Sequence, residues 1–233
     1  MKQFDVITIF PPILDSYINE SLFKRAQKNK ILKIKMHNLR QWTADRHQTV
    51  DDKPYGGGVG LVFKIEPLMK ALLSLSLPLK KGEVGRGSKK LKNKTRIILM
   101  AANGKKFTQK EAKRLAKYDQ LIFVCPRYEG VDARIDKMVD EKISIGDYIL
   151  TGGELPAMVI MDSVARHYPG FVGKQESVKD ESFSREGYWE YPQYTRPEVI
   201  KYKNKNLRVP KVLLSGHHGE IKKWREKKAK NVK

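Results

Sequence analysis

The chain has few of the residues and segments that several common classes of protein require. Its 233 residues include a single cysteine, Cys125, which excludes an internal disulfide and any zinc site built from several cysteines. Cys125 ends the apolar run Leu121–Cys125, and this position predicts a buried thiol rather than a nucleophile. No apolar run approaches the roughly 18 residues that a membrane-spanning helix needs, so no membrane association is expected.

Signatures of phosphate-binding and metal-dependent enzymes are also missing. The sequence contains neither G-x-G-x-x-G nor G-x-x-x-x-G-K-[ST], which argues against an enzyme that binds nucleotide phosphates through these loops. Its five histidines form no H-E-x-x-H motif and no cluster with carboxylates, so no transition-metal site is expected. The apolar start is interrupted by Asp5, Pro11 and Pro12 and lacks a secretory cleavage pattern, which predicts a cytoplasmic protein.

Acidic residues are scarce beside basic ones. The sequence has 47 Lys and Arg against 26 Asp and Glu, and its formal net charge is +21. The excess is uneven, because residues 201–233 hold 12 basic residues and only two acids, Glu220 and Glu226. Tyr202 and Trp224 lie between these basic residues, a mixture suited to phosphates with occasional base stacking. The pattern indicates a polyanionic partner, with nucleic acid the first choice.

Apolar, strand-like segments alternate with helix-like ones over most of the chain. This alternation predicts an α/β domain with a largely parallel sheet that ends near Phe171. The predicted strands are 4–10, 31–36, 97–100, 121–125 and 143–145, and the predicted helices are about 17–27, 68–77 and 155–168. A capping box at Thr108–Glu111 predicts another helix start, and basic residues 80–94 predict a surface insertion. A polar linker and a basic, mainly helical segment follow the domain.

Three loops that follow predicted strands carry the candidate binding groups. They are Ala101–Gly104, Pro126–Gly130 and Ser144–Gly153. In parallel α/β sheets such loops converge beyond the carboxyl ends of the strands, where ligands bind. Their glycines allow the backbone to approach a ligand closely, which predicts main-chain recognition of a flat, polar small molecule. On glycine content alone, an ordinary strand–turn–helix connection at Ser144–Pro156 remains an alternative.

A series of motifs in this chain resembles the bacterial tRNA (guanine-N1)-methyltransferase family of the SPOUT class. The resemblance covers nearly the whole chain in the right order. The matching stretches are Asp45-Arg46-His47, Val50-Asp51-Asp52, Pro54-Tyr55-Gly56-Gly57-Gly58, Arg127-Tyr128-Glu129-Gly130, Ser144–Met158, Asp162-Ser163-Val164, Tyr194-Thr195-Arg196-Pro197-Glu198 and Leu213-Leu214-Ser215-Gly216.

The resemblance implies a specific architecture and activity. Residues 1–172 would form a parallel-sheet SPOUT domain with a C-terminal trefoil knot at about 97–153. A flexible linker, 173–187, would lead to a small, mainly helical, basic tRNA-binding domain at 188–233. The protein would be a homodimer that moves a methyl group from S-adenosylmethionine to N1 of the guanosine immediately 3′ of the anticodon in tRNA. A catalytically weak or inactive RNA-binding protein on the same scaffold is the alternative, and a role for Mg²⁺ stays open.

Carried over by position, the resemblance also implies site residues. The cofactor pocket would comprise Ala102, Pro126, Tyr128, Glu129, Ile145, Gly146, Asp147, Tyr148, Ile149, Leu150, Gly152, Gly153 and Pro156. Arg166 would bind O6 of guanine, although a solvated cation at a helix end is the alternative for this residue. Glu181 would accept the N1 proton by its register to Ser182-Phe183, and a one-residue shift would give this role to Asp180.

Two departures from the family pattern bear on the pocket. Pro126 stands where the family usually has a glycine, and Ala101-Ala102 stands where a Ser-Pro-like strand end is usual. Proline removes an amide donor, and alanine in place of proline loosens a turn. Both departures predict weaker cofactor binding in an unchanged mode.

Overall fold

The computed structural model describes residues 1–76, 94–174 and 181–231. The chain divides into two compact units, 1–173 and 174–233, called below the N-terminal and C-terminal units. Asp180, most of the predicted insertion at 80–94 and residues 175–180 of the predicted linker lie outside the described residues. None of the described helices combines the length and apolarity that crossing a membrane requires.

The N-terminal unit is built on a parallel sheet. Its strands in chain order are β1 (Lys2–Thr8), β2 (Leu32–Asn38), β3 (Asp51–Asp52), β4 (Val62–Phe63), β5 (Thr95–Lys106), β6 (Gln120–Val124) and β7 (Glu141–Ser144). Five of them form one sheet in the order β2-β1-β6-β5-β7, and every neighbouring pair is parallel. The two-residue strands β3 and β4 pair separately and antiparallel. The predicted α/β class with a parallel sheet is confirmed.

Helices cover both faces of this sheet. They are α1 (Asp15–Ile18), α2 (Ser21–Lys28), α3 (Ile65–Ser76), α4 (Gln109–Leu115) and α5 (Glu154–Ala165), with 3-10 turns at Pro11–Leu14, Leu39–Trp42 and Ala133–Lys137. Helices α1, α2, α4 and α5 contribute to one buried apolar cluster, and α3 contributes to another. In β1, Phe4 and Val6 belong to the first cluster and Ile7 to the second. Burial on both faces explains why the strands are continuous apolar runs in the sequence.

Strand β5 differs from the predicted strand and turn. The segment Ala101–Gly104 continues the strand as an irregularity instead of ending it. Ile143 of β7 faces Met100 before the irregularity and Lys105 after it. A Cβ at Gly104 would lie 2.6 Å from the backbone nitrogen of Ile143, so glycine is required by this close approach.

Two further local predictions need correction. The single helix predicted near 17–27 is two helices, because the chain turns at Asn19–Glu20 before α2 begins at Ser21. Helix α4 does start after Thr108, but the Thr108 side chain makes no capping bond. The Glu111 carboxylate, which a capping box would use, instead accepts hydrogen bonds from Lys105 (2.8 Å) and Arg114 (2.7 Å). The charged side chains of Lys105 and Arg114 thus take the place of the backbone amide that a capping box would provide for Glu111.

The C-terminal unit contains short strands as well as helices. Its elements are β8 (Tyr188–Trp189), β9 (Val199–Tyr202), β10 (Lys205–Arg208), α6 (Lys211–Leu214), α7 (His218–Lys228) and β11 (Lys230–Asn231). Strands β9 and β10 form a hairpin, and β8 pairs antiparallel with β11. The prediction of a mainly helical segment therefore missed four strands. The hairpin turn is tight, with Lys203 at φ 51°, and its strands are too short and too polar to give an apolar alternation.

Candidate active site

A cavity of about 590 Å³ is formed by the irregular part of β5 and by the segments that follow β6 and β7. Its volume lies within the roughly 300–1,000 Å³ that is typical of small-molecule sites. Its walls combine glycine backbone with apolar side chains, as a flat ligand with polar edges requires. The lining residues are Leu99, Met100, Ala101, Ala102, Asn103, Pro126, Arg127, Tyr128, Glu129, Gly130, Val131, Ala133, Ile135, Asp136, Lys142, Ile143, Ser144, Ile145, Gly146, Tyr148, Ile149, Leu150, Thr151, Gly152, Gly153 and Pro156.

The structure brings together all but one of the residues predicted for the pocket. The ones that line the cavity are Ala102, Pro126, Tyr128, Glu129, Ile145, Gly146, Tyr148, Ile149, Leu150, Gly152, Gly153 and Pro156. Asp147 does not line it. The Asp147 carboxylate is mostly exposed and forms an ion pair with Lys106.

The loop after β6 is joined directly to the segment that leads into α5. Arg127 and Gly152 form an isolated antiparallel bridge, and the Gly153 amide donates to the Pro126 carbonyl at 2.9 Å. Pro126, which has no amide donor, thus takes part in this contact through its carbonyl. A Cβ at Gly153 would lie 2.7 Å from Cα of Cys125, so the two segments can approach this closely only with glycine.

A distant segment supports the other side of the same loop. The Glu129 amide donates to the Leu61 carbonyl at 3.1 Å, and the Phe63 amide donates to the Gly130 carbonyl at 3.0 Å. Tyr128 has a positive φ of 57°, and its ring meets that of Phe63 edge-on with the centroids 5.8 Å apart. The motif-based prediction did not include this support, because nothing in the local sequence links these two segments.

The loop after β7 is closed by its own polar groups. The Ser144 hydroxyl donates to the Gly146 carbonyl at 3.0 Å, and the Tyr148 hydroxyl donates to the Ile145 carbonyl at 3.4 Å. A Cβ at Gly146 would lie 2.4 Å from the Tyr148 ring. Ile149 is 82% exposed, so this loop presents apolar surface as well as backbone groups.

Cys125 lies beneath the cavity as a buried thiol, as predicted. It is fully buried, and burial together with the nearby negative charge of Glu154 raises the pKa of the thiol well above its ordinary value. The thiol therefore stays protonated and acts as a small apolar residue.

Possible metal ligands are spread apart in the described structure. Across residues 1–76, 94–174 and 181–231 no set of three His, Cys, Asp or Glu side chains is placed to hold an ion.

The two described residues with predicted catalytic roles, Arg166 and Glu181, are not among the residues that line the cavity. Arg166 follows α5 as its C-terminal cap, where its amide donates to the Asp162 carbonyl at 3.3 Å. Glu181 belongs to the C-terminal unit, and its carbonyl accepts from the Ser184 amide at 3.0 Å. Since Asp180 is outside the described residues, the choice between the two acids stays a prediction.

Comparison with known proteins identifies the family. The model of the family described as tRNA (Guanine-1)-methyltransferase TrmD matches residues 1–232. The chain belongs to this family. The resemblance inferred from the motifs is thereby confirmed.

Curated relatives in the TrmD family align along nearly the full chain, and each is named tRNA (guanine-N(1)-)-methyltransferase. The protein from Mycoplasmopsis synoviae is 47% identical over 225 residues, which are 97% of this chain and 90% of the relative. The protein from Carboxydothermus hydrogenoformans is 45% identical over 228 residues, 97% and 82% of the two chains. The protein from Dictyoglomus turgidum is 44% identical over 229 residues, 98% and 85%.

Proposed function

We propose that this protein transfers a methyl group from S-adenosylmethionine to N1 of the guanosine immediately 3′ of the anticodon in tRNA. The observation that carries the proposal is the cavity of about 590 Å³ between the irregular part of β5 and the segments that follow β6 and β7, in a chain that matches the TrmD family over residues 1–232. Membership of a methyltransferase family implies S-adenosylmethionine as the donor.

The residues of the cavity fit this donor. Gly152 and Gly153 line the cavity with backbone alone, and since the Gly153 amide donates to the Pro126 carbonyl, the remaining main-chain groups of the lining would meet an adenine edge and ribose hydroxyls. Ile145, Leu150 and Pro156 supply apolar surface for the faces of the ring. These contacts support recognition of the adenosine part by main chain and shape.

The reaction asks the protein for three things. The bound donor supplies a methyl group that is already activated on a sulfonium, and the electron pair of the broken C–S bond stays on sulfur. The chain must orient the guanine, accept the proton from N1, and stabilise the charge that develops on O6. We assign the proton to Glu181, with Asp180 as the alternative, and the O6 contact to the Arg166 guanidinium.

A second copy of the chain would complete this site. Ten positions separate Arg166 from Pro156, the cavity-lining residue of α5, so Arg166 lies roughly 15 Å along the helix from the cavity. This separation exceeds the reach of an arginine side chain within one copy. Leu155 and Val159, on one face of α5, are 58% and 46% exposed, and Ile149 is exposed beside the cavity. Exposed apolar surface next to an incomplete site supports a homodimer.

The proposed domain organisation follows the same assignment. Residues 1–172 would be the methyltransferase domain, 173–187 a linker and 188–233 a tRNA-binding domain in a cytoplasmic enzyme. The hairpin of β9 and β10 supports the last role, since Lys201, Lys203, Lys205 and Arg208 are all exposed there. Strand β5, which lies between β6 and β7 in the sheet, is compatible with a trefoil knot at about 97–153.

The test is methyl transfer from radiolabelled S-adenosylmethionine to an unmodified tRNA with guanosine 3′ of the anticodon. A tRNA with adenosine at that position is the matched control, and parallel reactions with Mg²⁺ and with a chelator define the metal requirement. Label at N1 of guanosine alone is expected. Binding of tRNA without any transfer would overturn the proposal in favour of an inactive RNA-binding protein.

Variants then separate the two candidate acids. Glu181→Gln should lower the rate by at least about 100-fold, because general base catalysis typically contributes that much. Asp180→Asn should have a small effect. Equal, mild losses in both variants would contradict the assignment of either acid. Arg166→Ala should lower the rate while the affinity for S-adenosylhomocysteine stays nearly unchanged.

A further inference from the structure

A buried polar cluster lies beside the cavity and joins three separate segments. The Thr8 hydroxyl, at the end of β1, donates to Oε1 of Glu154 at 2.7 Å. Nε of Arg127, in the loop after β6, donates to the same oxygen at 3.2 Å. Glu154 opens helix α5 and is 1% exposed, and Thr8 is fully buried. We call Thr8, Arg127 and Glu154 the clamp.

The geometry of the clamp ties the arginine to one orientation. Nε of Arg127 is 3.0 Å from Oε2 of Glu154, yet only the contact with Oε1 is aligned as a hydrogen bond. The guanidinium carbon also lies 5.0 Å from the ring centroid of Phe10. The Phe10 amide donates to the Thr8 hydroxyl at 3.0 Å, so the hydroxyl is oriented as well. Each group of the clamp therefore fixes the next.

The clamp leaves no spare room at the cavity wall. A Cβ at Gly152 would lie 2.4 Å from Nε of Arg127 and 2.6 Å from Oε2 of Glu154. Gly152 and Arg127 both line the cavity and pair with each other through the backbone. The position of the Glu154 carboxylate thus decides where these two walls of the cavity meet.

Stability alone gives a weak reason for this arrangement. Burying a carboxylate costs more than a single ion pair returns, and apolar residues of the same volume often serve a fold equally well. The ordered position of a cavity wall is a better reason, because binding by backbone groups depends on small displacements.

We infer that Glu154 is a positioning residue. Through Arg127 and Gly152 it holds Pro126–Gly130 against Gly152–Gly153 in the arrangement that binds S-adenosylmethionine. The ligand named here rests on the proposed function, whereas the effect on the two segments does not.

The first experiment measures hydrogen exchange in the ligand-free protein. In Glu154→Gln the side-chain oxygen still accepts from Thr8, but the charge facing Arg127 is gone. Amides at Glu129, Gly130 and Gly153 should exchange at least about tenfold faster than in the wild type. Glu141→Gln is the matched control, since it removes the carboxylate charge that faces Arg96 (2.7 Å) and Arg114 (2.6 Å) at a residue that does not line the cavity.

The second experiment measures binding and kinetics. Calorimetry with S-adenosylhomocysteine should show at least about tenfold weaker binding in Glu154→Gln, and in steady-state assays KM for S-adenosylmethionine should change more than kcat. Thr8→Val should weaken binding in the same direction, and Thr8→Ser, which keeps the hydroxyl, should restore it. If Glu154→Gln does not fold, the binding and exchange measurements are made on Thr8→Val, Thr8→Ser and Gly152→Ala instead.

The outcomes separate this inference from the proposed function. A wild-type protein that fails to bind S-adenosylhomocysteine would defeat the proposed function, and the clamp is then judged on hydrogen exchange alone. Unchanged exchange at the three amides in Glu154→Gln, or equal behaviour of Thr8→Val and Thr8→Ser, would overturn the inference. So would the same losses in Glu141→Gln.

Discussion

The N-terminal and C-terminal units of this chain differ in how much apolar surface each one buries inside itself. In the N-terminal unit the sheet is buried on both faces, and large side chains such as Phe4 and Phe123 are completely enclosed. In the described part of the C-terminal unit, Tyr188 is the one buried apolar residue. Other contacts between aromatic rings in the C-terminal unit, such as Tyr194 with Trp224 at a centroid distance of 6.2 Å, involve residues that remain partly exposed.

This difference shows how binding roles can be divided. A well-packed sheet can carry glycine-rich segments at its carboxyl end without losing its fold, which suits a precise small-molecule site. The C-terminal unit buries little apolar surface and presents many cations, which suits a polyanion that adds order when it binds.

The largest effect is expected in the enclosed core. Phe123→Ala should lower the free energy of unfolding by about 3–5 kcal/mol, because it removes a buried ring and leaves a cavity. Trp224→Ala in the C-terminal unit should cost about 1.5 kcal/mol or less, since its ring contact is partly solvated. Urea unfolding followed by circular dichroism measures both. A larger loss of unfolding free energy in Trp224→Ala than in Phe123→Ala would contradict the difference in packing between the two units.

Damage to the cavity should stay within the N-terminal unit. In Gly153→Ala the new Cβ would lie 2.7 Å from a backbone atom of Cys125, so the wall must move. Affinity for S-adenosylhomocysteine should fall by about 100-fold, as expected for a displacement near 1 Å. Affinity for tRNA, measured by filter binding, should change by less than about twofold.

The control for this variant is another glycine in the same unit. Gly173→Ala places its Cβ where nothing lies within 4 Å, and it should leave both affinities unchanged. A parallel loss of tRNA binding in Gly153→Ala would mean that the two roles are not divided between the units.

A third prediction concerns a buried acid in the N-terminal unit. Asp5 is fully buried and accepts hydrogen bonds from His37 (2.7 Å), Gln120 (2.8 Å) and Gln3 (2.6 Å). Burial raises its pKa, but these hydrogen bonds outweigh burial, and the pKa lies below its ordinary value of 3.8. The resulting stability is present above pH 3.8 and is lost as the pH falls through the lower, folded-state pKa.

The variant Asp5→Asn tests this directly. It should lose about 1.5–3 kcal/mol at neutral pH, the usual worth of hydrogen bonds to a charged group. The free energy of unfolding of this variant should also change less between pH 5 and pH 2 than that of the wild type. The difference should correspond to the contribution of about one ionisable group. Asp15→Asn, at an exposed carboxylate, is the control and should leave the free energy of unfolding at neutral pH nearly unchanged.

The smallest effects are expected at single cations of the C-terminal unit. Lys203→Ala and Arg208→Ala should each weaken tRNA binding slightly and reduce the slope of log affinity against log salt by about one. Binding of S-adenosylhomocysteine should be unaffected. Lys70→Ala removes a charge that is also exposed, but in the N-terminal unit, and should leave the slope unchanged. A response to Lys70→Ala as large as that to Arg208→Ala would show that net charge, not position, governs binding.

The sequence predicts much of the sheet and of the cavity for simple reasons. Strands buried on both faces are unbroken apolar runs, and the segments that follow them must meet at one edge of a parallel sheet. Most residues predicted for the pocket therefore line one cavity. Asp147 lies next to them in the chain but points to solvent and pairs with Lys106, an outcome that a motif does not encode.

The features that the sequence did not predict depend on contacts between distant segments. Thr8 and Glu154 are 146 residues apart, and nothing local indicates that one donates to the other. The same holds for the support of Glu129 by Leu61. In the C-terminal unit, strands of two to four residues carry too little pattern to be recognised. Glu111 shows the opposite case, because a strong local motif was overridden by charged neighbours.

The irregularity in β5 allows the length of one cavity wall to change independently of the sheet. Because Ile143 pairs with Met100 on one side and Lys105 on the other, both ends of Ala101–Gly104 are anchored to a single residue of the neighbouring strand. Residues could be added between these anchor points without shifting the register of any strand. Evolution, or an engineer, can thus alter the depth of the binding cavity while the scaffold that carries it remains the same.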